Sequence, residues 1–258
     1  GDVPPLISSP GSSATLGEIE ACVTKNLPDA AGVIGFSVEA VDRTGVVTAS
    51  RAEIKWRKDA AALSQIMLRV SEPAKTAGTA LLIIDRESDQ PEFYLRLPEL
   101  SRVKRVRSKR LRGPVLGTDF SYEDLDRLRE PLDKTSLELV GISEVDGRGA
   151  WLLETVPDPK DGSEYARVLT YISQAHCLPI RIDLFEEGDR LRKQLRAPVE
   201  EIRRAGEFFL PHMFVMEDLR RETHTVIRIE RFDSSDDLPA AHFTKSALRA
   251  ARAASVAR

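Results

Sequence analysis

The chain has 258 residues, a formal net charge of −3 at pH 7 and a hydrophobic fraction of 41%. That is enough apolar material for a sizeable core in one large domain or two small ones. The balance excludes a dedicated nucleic-acid binder, which is basic over its whole domain, and no apolar run is long enough for a spanning helix.

Residues 1–14 are rich in Pro, Ser and Gly and read as a disordered segment. The chain starts without Met and without the apolar stretch of a signal peptide. It therefore reads as a trimmed or mature form whose targeting segment is gone. Thr15 followed by Glu18 fits a capping box, which predicts a helix over 15–27 ended by Pro28. The two cysteines, Cys22 and Cys177, are too few and too far apart for a disulfide framework or a zinc site. Two buried free thiols are the ordinary reading. A single bridge is the alternative, and it needs geometry that brings the sulfurs together.

From residue 33 the period changes to two. Ile34, Phe36, Val38 and Ala40 share one side. Ala52, Ile54 and Trp56 alternate with Arg51, Glu53, Lys55 and Arg57, and Ile66, Leu68 and Val70 alternate with Gln65, Met67 and Arg69. Such alternation marks half-buried antiparallel strands. "GTALLIID" is more uniformly apolar, and "EFYLRLP" alternates again. Further strands are predicted at 134–144, 149–156, 165–173, 179–187, 191–203, 207–219 and 223–233, several separated by Gly-containing turns. Other helical signals are confined to 121–130 and the Ala/Arg-rich tail after Ser246. No βαβ rhythm occurs, so a parallel sheet is not expected. The expected architecture is mainly β (α+β): a strongly curved antiparallel sheet of about eleven strands, with a few short helices over its concave face. One domain is expected over 15–250, with a tail at 251–258.

No nucleophile elbow, phosphate loop, zinc-protease or dinucleotide motif is present. The four histidines show no metal-ligand spacing, although His212 and His224 fall on neighbouring predicted strands. Carboxylates alternate with basic residues along the strands, as in cross-strand ion pairs on a wet face. A binding protein without metal or cofactor is expected rather than an enzyme. A buried nucleophile–base pair beside a cavity would revive an enzyme acting on lipids.

The stretch "EFYLRLPELSRVKRVRSKRLRGPVLGTDFSYEDL" resembles the LolA-like outer-membrane lipoprotein-sorting family. Tyr94, Leu95, Leu97, Pro98, Leu100, Val103, Arg105 and Val106 match the first half of its segment. Gly117, Asp119, Phe120, Ser121, Tyr122, Glu123, Asp124 and Leu125 match the second. "LRVSEPAKTAGTALL" at 68–82, "CLPIRIDLFEEGDRLRKQL" at 177–195 and "LPAAHFTKSALRA" at 238–250 are similar to further family segments, in the family's order. Phe93 stands where a Trp is usual, and Thr118 replaces Ser. The resemblance implies an unclosed barrel, a periplasmic location, and the carrying or docking of lipidated or lipid-like molecules. It also implies an RND-type transporter as a partner.

A carrier needs an apolar wall and a yielding lid. Phe36, Val38, Ile66, Leu68, Val70, Leu82, Ile84, Phe93, Leu95, Leu97, Ile182 and Phe214 are the candidate lining, and a filled core is the competing reading of each. Tyr122, Leu125 and Leu128 fall near helical spacing on one apolar face and make the 121–130 helix the candidate lid, with Gly113, Pro114 and Gly117 as a hinge. Seven of the eleven residues from Arg102 to Arg112 are basic: Arg102, Lys104, Arg105, Arg107, Lys109, Arg110 and Arg112. A solvated face is the plain reading. Docking to anionic headgroups, with transient membrane-surface contact, or to an acidic partner is the functional one. Without interleaved aromatics no stacking platform for nucleic acid is visible. An apolar cavity would favour a carrier. A close-packed interior would favour a β-rich accessory subunit of an envelope transporter.

Overall fold

The computed structural model describes residues 13–27, 31–87, 91–100, 102–106, 113–132, 136–234 and 238–250. The expected disordered start up to residue 12 and the tail at 251–258 lie outside the described residues. Among the described residues there are three α-helices: α1 (Leu16–Lys25), α2 (Tyr122–Arg129) and α3 (Lys245–Arg249). The strands of the first half are β1 (Gly32–Val41), β2 (Val47–Lys58), β3 (Ser64–Glu72), β4 (Ala80–Ile84), β5 (Glu92–Arg96) and β6 (Lys104–Arg105). Those of the second half are β7 (Leu137–Val145), β8 (Arg148–Thr155), β9 (Arg167–Ser173), β10 (Pro179–Glu186), β11 (Arg190–Arg196), β12 (Ile202–Ala205), β13 (Phe208–Pro211), β14 (Met213–Asp218) and β15 (Thr223–Ser234).

Thirteen of them form one sheet in the order β6-β5-β4-β3-β2-β1-β15-β14-β11-β10-β9-β8-β7, and β12 and β13 form a separate pair. The order is linear, with β6 and β7 at its two ends, so the sheet is mainly antiparallel and unclosed, as the sequence predicted. The described strands exceed about eleven because two long predicted strands are broken, which yields the separate β12–β13 pair, and because the short β6 adds an edge. The segment 191–203 divides where Pro198, lacking an N–H, precedes a 3-10 turn at Val199–Glu201. The segment 207–219 divides at His212, whose N–H turns away to Glu201 O at 2.8 Å.

The chain divides into two compact units. Unit 1 comprises Gly1–Pro28, Ala40–Val47 and Leu111–Val226; unit 2 comprises Asp29–Glu39, Thr48–Arg110 and Ile227–Arg258.

In unit 2 the ladder registers decide which side chains share a face. Trp56 pairs with Ile66, Ile66 with Ile83, and Ile83 with Phe93. Ile54 pairs with Leu68, Leu68 with Leu81, and Leu81 with Leu95. Neighbouring rows carry the opposite face, Met67 beside Leu82 and Leu82 beside Tyr94. This second face is closed by the C-terminal segment: Phe243 and Leu248 pack with Met67, Ala80, Leu82 and Tyr94. The Thr244 side chain starts α3 by accepting the Ala247 N–H, and the Arg69 guanidinium donates to Ala247 O at 3.0 Å. Burial of a Leu or Phe of this kind contributes about 1.5–3 kcal/mol.

In unit 1, α1 starts with the predicted capping box. Glu18 N donates to Thr15 Oγ1, and Thr15 N donates to Glu18 at 2.7 Å. Its apolar stripe, Ile19 and Val23, packs with Trp151, Leu153 and Ile172 of β8 and β9. The same helix face carries Cys22, which is joined in a disulfide to Cys177 with Cα atoms 5.6 Å apart. The ordinary reading of two free thiols is therefore overturned. The α1 stripe lies on the turn between β9 and β10, and no local sequence signal announces that contact. Asn26 is buried and completes it, donating to His176 O at 3.3 Å and accepting from Phe209 N at 2.8 Å.

Candidate functional site

The first candidate surface is the face of unit 2 opposite the C-terminal helix. Phe36, Val38, Ala52, Leu68, Val70, Leu81, Ile83 and Phe93 are buried, whereas Ile34, Ile54, Trp56, Ile66 and Leu95 are half-buried. Gly32 lets the strands approach. A Cβ there would lie 2.4 Å from the Trp56 ring, which in turn packs against Phe232 at 6.0 Å between centroids. Period-two patterning on β-branched and aromatic residues makes this face apolar throughout.

The expected lining is split by the register. Phe36, Val38, Ile66, Leu68, Val70, Phe93 and Leu95 belong to this face. Leu82 and Ile84 point the other way, into the cluster of Met67, Tyr94, Phe243 and Leu248. Leu97 follows the end of β5 and is half-buried. Ile182 and Phe214 lie on β10 and β14 in unit 1, where Ile182 is buried between Thr170 and Leu195.

Beside the end of β4 lies a polar groove of about 380 Å³. Asp59, Gln65, Asp85, Arg86, Glu87 and Glu92 line it together with Leu63 and Ile84. Arg86 and Arg105 both pair with Glu92, at 2.6 and 3.0 Å, and the Arg86 hydrogen bonds hold this carboxylate below the usual range. Arg102, Lys104 and Arg105 are exposed on and next to β6. The remaining docking candidates, Arg107, Lys109, Arg110 and Arg112, lie outside the described residues.

The segment "TDFSYED" places a set of buried and half-buried carboxylates whose contacts the family motif alone did not explain. Asp119 is buried, its N–H donates to Thr225 Oγ1 at 2.9 Å, and its carboxylate accepts from Thr225 Oγ1 at 2.7 Å and from Thr223. Ser121 and Asp124 form a capping box that starts α2. Asp124 does more than cap. Lys193 Nζ donates to Oδ2 at 2.7 Å and Tyr165 Oη donates to Oδ1 at 2.7 Å. Lys193 and Asp124 are 5% and 1% exposed, so both charges are out of water and each needs the other. Burial first, then the negative charges of Asp124 and Glu164, hold the Tyr165 hydroxyl far above the ordinary phenol range, so it stays a donor. Glu123 accepts from Glu164 N at 3.1 Å and from Ser163, and pairs with Arg127 at 3.0 Å. Of the lid candidates, Tyr122 is buried and Leu125 and Leu128 are half-buried. The helix carrying them is held to β11 and to the lead-in of β9 by buried polar contacts. The signal available in sequence was a lysine within an otherwise alternating strand, Lys193, and two adjacent acids on a helix N-terminus.

Among the described residues, one serine–histidine pair is close: Ser173 Oγ lies 3.1 Å from His176 Nδ1. Ser173 is 1% exposed, and its oxygen also accepts the His176 N–H at 3.2 Å. The pair closes the turn that carries Cys177 and presents no accessible nucleophile.

A family model described as "Uncharacterized protein" matches residues 63–250. No curated protein matches the sequence. Among solved structures, a DUF1329 family protein from Desulfovibrio piger superposes with a TM-score of 0.83 at 20% identity, over 90% of this chain and 96% of that one. An outer membrane lipoprotein-sorting protein domain from Vibrio parahaemolyticus gives 0.78 at 19% identity, over 90% and 97%. A LolA superfamily protein from Nitrosomonas europaea gives 0.69 at 18% identity, over 91% and 100%. At such identities the likeness is one of fold. The unclosed sheet and the ordered motifs agree with it: the chain has the LolA-like fold and belongs to the family of proteins whose model spans residues 63–250.

Proposed function

We propose that the protein is a periplasmic carrier of lipidated or lipid-like hydrophobic cargo, whose acyl chain lies on the apolar face of β1–β5. The observation that carries this reading is that face itself: Phe36, Val38, Ile66, Leu68, Val70, Phe93 and Leu95 form continuous rows with no charged side chain among them. Each methylene kept from water is worth about 0.8 kcal/mol, so a 16-carbon chain represents roughly 12 kcal/mol of avoided exposure. The Cys22–Cys177 disulfide fits an oxidising compartment, and the lipoprotein-sorting relative supports the cargo class. In this reading Tyr122, Leu125 and Leu128 act as a lid whose movement requires the Asp124–Lys193 pair to part. The exposed Arg102, Lys104 and Arg105 meet anionic headgroups or an acidic partner.

A second reading is an accessory subunit of an RND-type transporter that carries nothing. It is favoured by the middle of the same face, where Leu81, Ile83 and Phe93 are already 0, 6 and 4% exposed. Gentle purification from the native envelope, solvent extraction and mass spectrometry separate the two. Stoichiometric lipid supports the carrier. A lipid-free protein that co-purifies with a transporter supports the subunit.

A further inference from the structure

Single exposed aliphatic residues are ordinary on protein surfaces. Their distribution here is not even. Among the described residues, the exposed large hydrophobic ones are Val46, Val47, Leu116, Val140, Ile142, Val156 and Leu219. Val140 and Ile142 are on β7. The other five sit in or beside turns at one rim of the sheet of unit 1, Val47 being the first residue of β2.

The registers fix that rim. Gly35 lies beside Arg231 and Gly32 beside Asp233, so β1 runs antiparallel to β15 and the end of β1 is level with the start of β15. The turn holding Val46 and Val47 therefore stands next to the β14–β15 turn holding Leu219. Asp119 bonds to Thr223 and Thr225, which sets the Leu116 turn at the same end. Lys193 pairs with Asp218, Glu186 with Arg190, Phe185 with Arg167, and Val168 with Thr155, which carries the same rim across to Val156. Turns at the opposite rim, at 146–147 and 174–178, carry none of the seven.

These tips are held, not loose. Asp42 accepts the N–H groups of Thr44 and Val46 at 2.8 and 3.0 Å. Leu219 N donates to Arg192 O at 3.0 Å, and Val115 N donates to Phe120 O at 2.7 Å across the Leu116 turn. Val156 is fixed at both backbone groups by Ser136. Presenting an aliphatic side chain on a formed turn removes most of the ordering cost of contact. Three of the four stretches have an exposed cation close by, among exposed carboxylates such as Asp42, Asp158 and Glu222: Arg43 near Val46, Arg220 (paired with Glu186) next to Leu219, and Lys160 after Val156.

We infer that this rim is a docking surface for a lipid bilayer, with Val46, Val47, Leu116, Val156 and Leu219 entering the headgroup–acyl boundary and the neighbouring cations at phosphate level. From β1 to β8 the tips spread over six strand spacings, roughly 30 Å along the sheet. A protein partner needs a contiguous desolvated centre. A bilayer interface accepts separate apolar tips at shallow depth without shape matching. The surface uses none of the basic residues from Arg102 to Arg112. The inference rests on the carrier reading only for its purpose, since docking is measured without cargo.

The test is flotation with vesicles of phosphatidylcholine and phosphatidylglycerol, using the full chain. The comparison variant combines Val46→Ser, Val47→Ser, Leu116→Asn and Leu219→Ser; Asn suits the left-handed φ of 52° at Leu116. The wild-type chain floats, and the variant, melting at an unchanged temperature, loses about tenfold in vesicle partition while keeping its uptake of a fluorescent acyl probe. Failure of the wild-type chain to float overturns the inference. So does self-association of the wild type in its place, which would make the rim a contact between copies. Equal flotation of the variant overturns it too, and loss only on Arg102→Ser with Lys104→Ser would move docking to the basic run. Lost probe uptake with flotation intact would count against the carrier reading alone.

Discussion

The inner rows of the two units differ in a way that separates their tasks. In unit 2, Trp56, Ile66, Ile83 and Phe93 run side by side without a polar interruption. In unit 1, the row from β8 to β14 contains Thr155, Val168, Leu184, Lys193 and Asp218, all buried. A buried lysine is tolerated only with a partner, and Asp124 of α2 provides it. The apolar rows suit the proposed cargo, whereas the charged row anchors a helix. Both arise from the same two-residue period, and the identity of one side chain per row decides which.

The comparison can be broken most forcefully at the disulfide of unit 1. Cys22 and Cys177 are 155 residues apart, and the loop-entropy model gives such a cross-link up to about 5 kcal/mol. Cys22→Ser with Cys177→Ser lowers the denaturant midpoint accordingly, and an unchanged midpoint would mean the bridge adds nothing. Next comes the ion pair. Asp124→Asn alone or Lys193→Met alone leaves a buried group unpaired and costs about 3–5 kcal/mol, while the double variant recovers part of that loss. Strictly additive losses in chemical denaturation would contradict a coupled pair.

In unit 2, Ile66→Asn sharpens the contrast by placing an amide within the apolar rows at a half-buried position. Uptake of a fluorescent acyl probe is expected to weaken about tenfold or more, equivalent to about 1.4 kcal/mol. The same change at the exposed Ile142 should leave uptake untouched. The smallest effect concerns pH. Burial, and then the nearby Arg148 charge, lowers the His176 pKa below its ordinary 6.5. The unfolded chain therefore binds the proton more readily. Stability is full above about pH 6.5 and falls as pH drops towards the lowered folded value. His176→Phe should flatten that part of a pH–melting profile, and an identical slope would remove His176 as its source.

Much of the architecture was legible beforehand. Thr15 and Glu18 announced α1, alternation announced β1–β3 and β5, and Gly-containing turns marked the β7–β8 and β10–β11 junctions. The breaks at Pro198 and His212 read through as continuous strands, although a proline, Pro198 or Pro211, stands at or beside each. The candidate site was legible only in part. Leu82 and Ile84 match Leu81 and Ile83 in composition, and a strand that is apolar on both sides does not reveal which side faces which neighbour. The five rim residues gave no signal either, since they are single or paired aliphatics in or beside separate turns.

What the sequence determined by itself is what depends on neighbours a few residues apart: capping boxes, turn positions, the two-residue period and the family motifs. The tertiary structure alone decided what depends on distant segments meeting. It paired Cys22 with Cys177, set Lys193 against Asp124, turned Leu82 towards Phe243, and brought five scattered aliphatics to one rim. Short-range preferences act through local backbone sterics and hydrogen bonds. Long-range pairing is fixed only when the whole sheet register is satisfied at once.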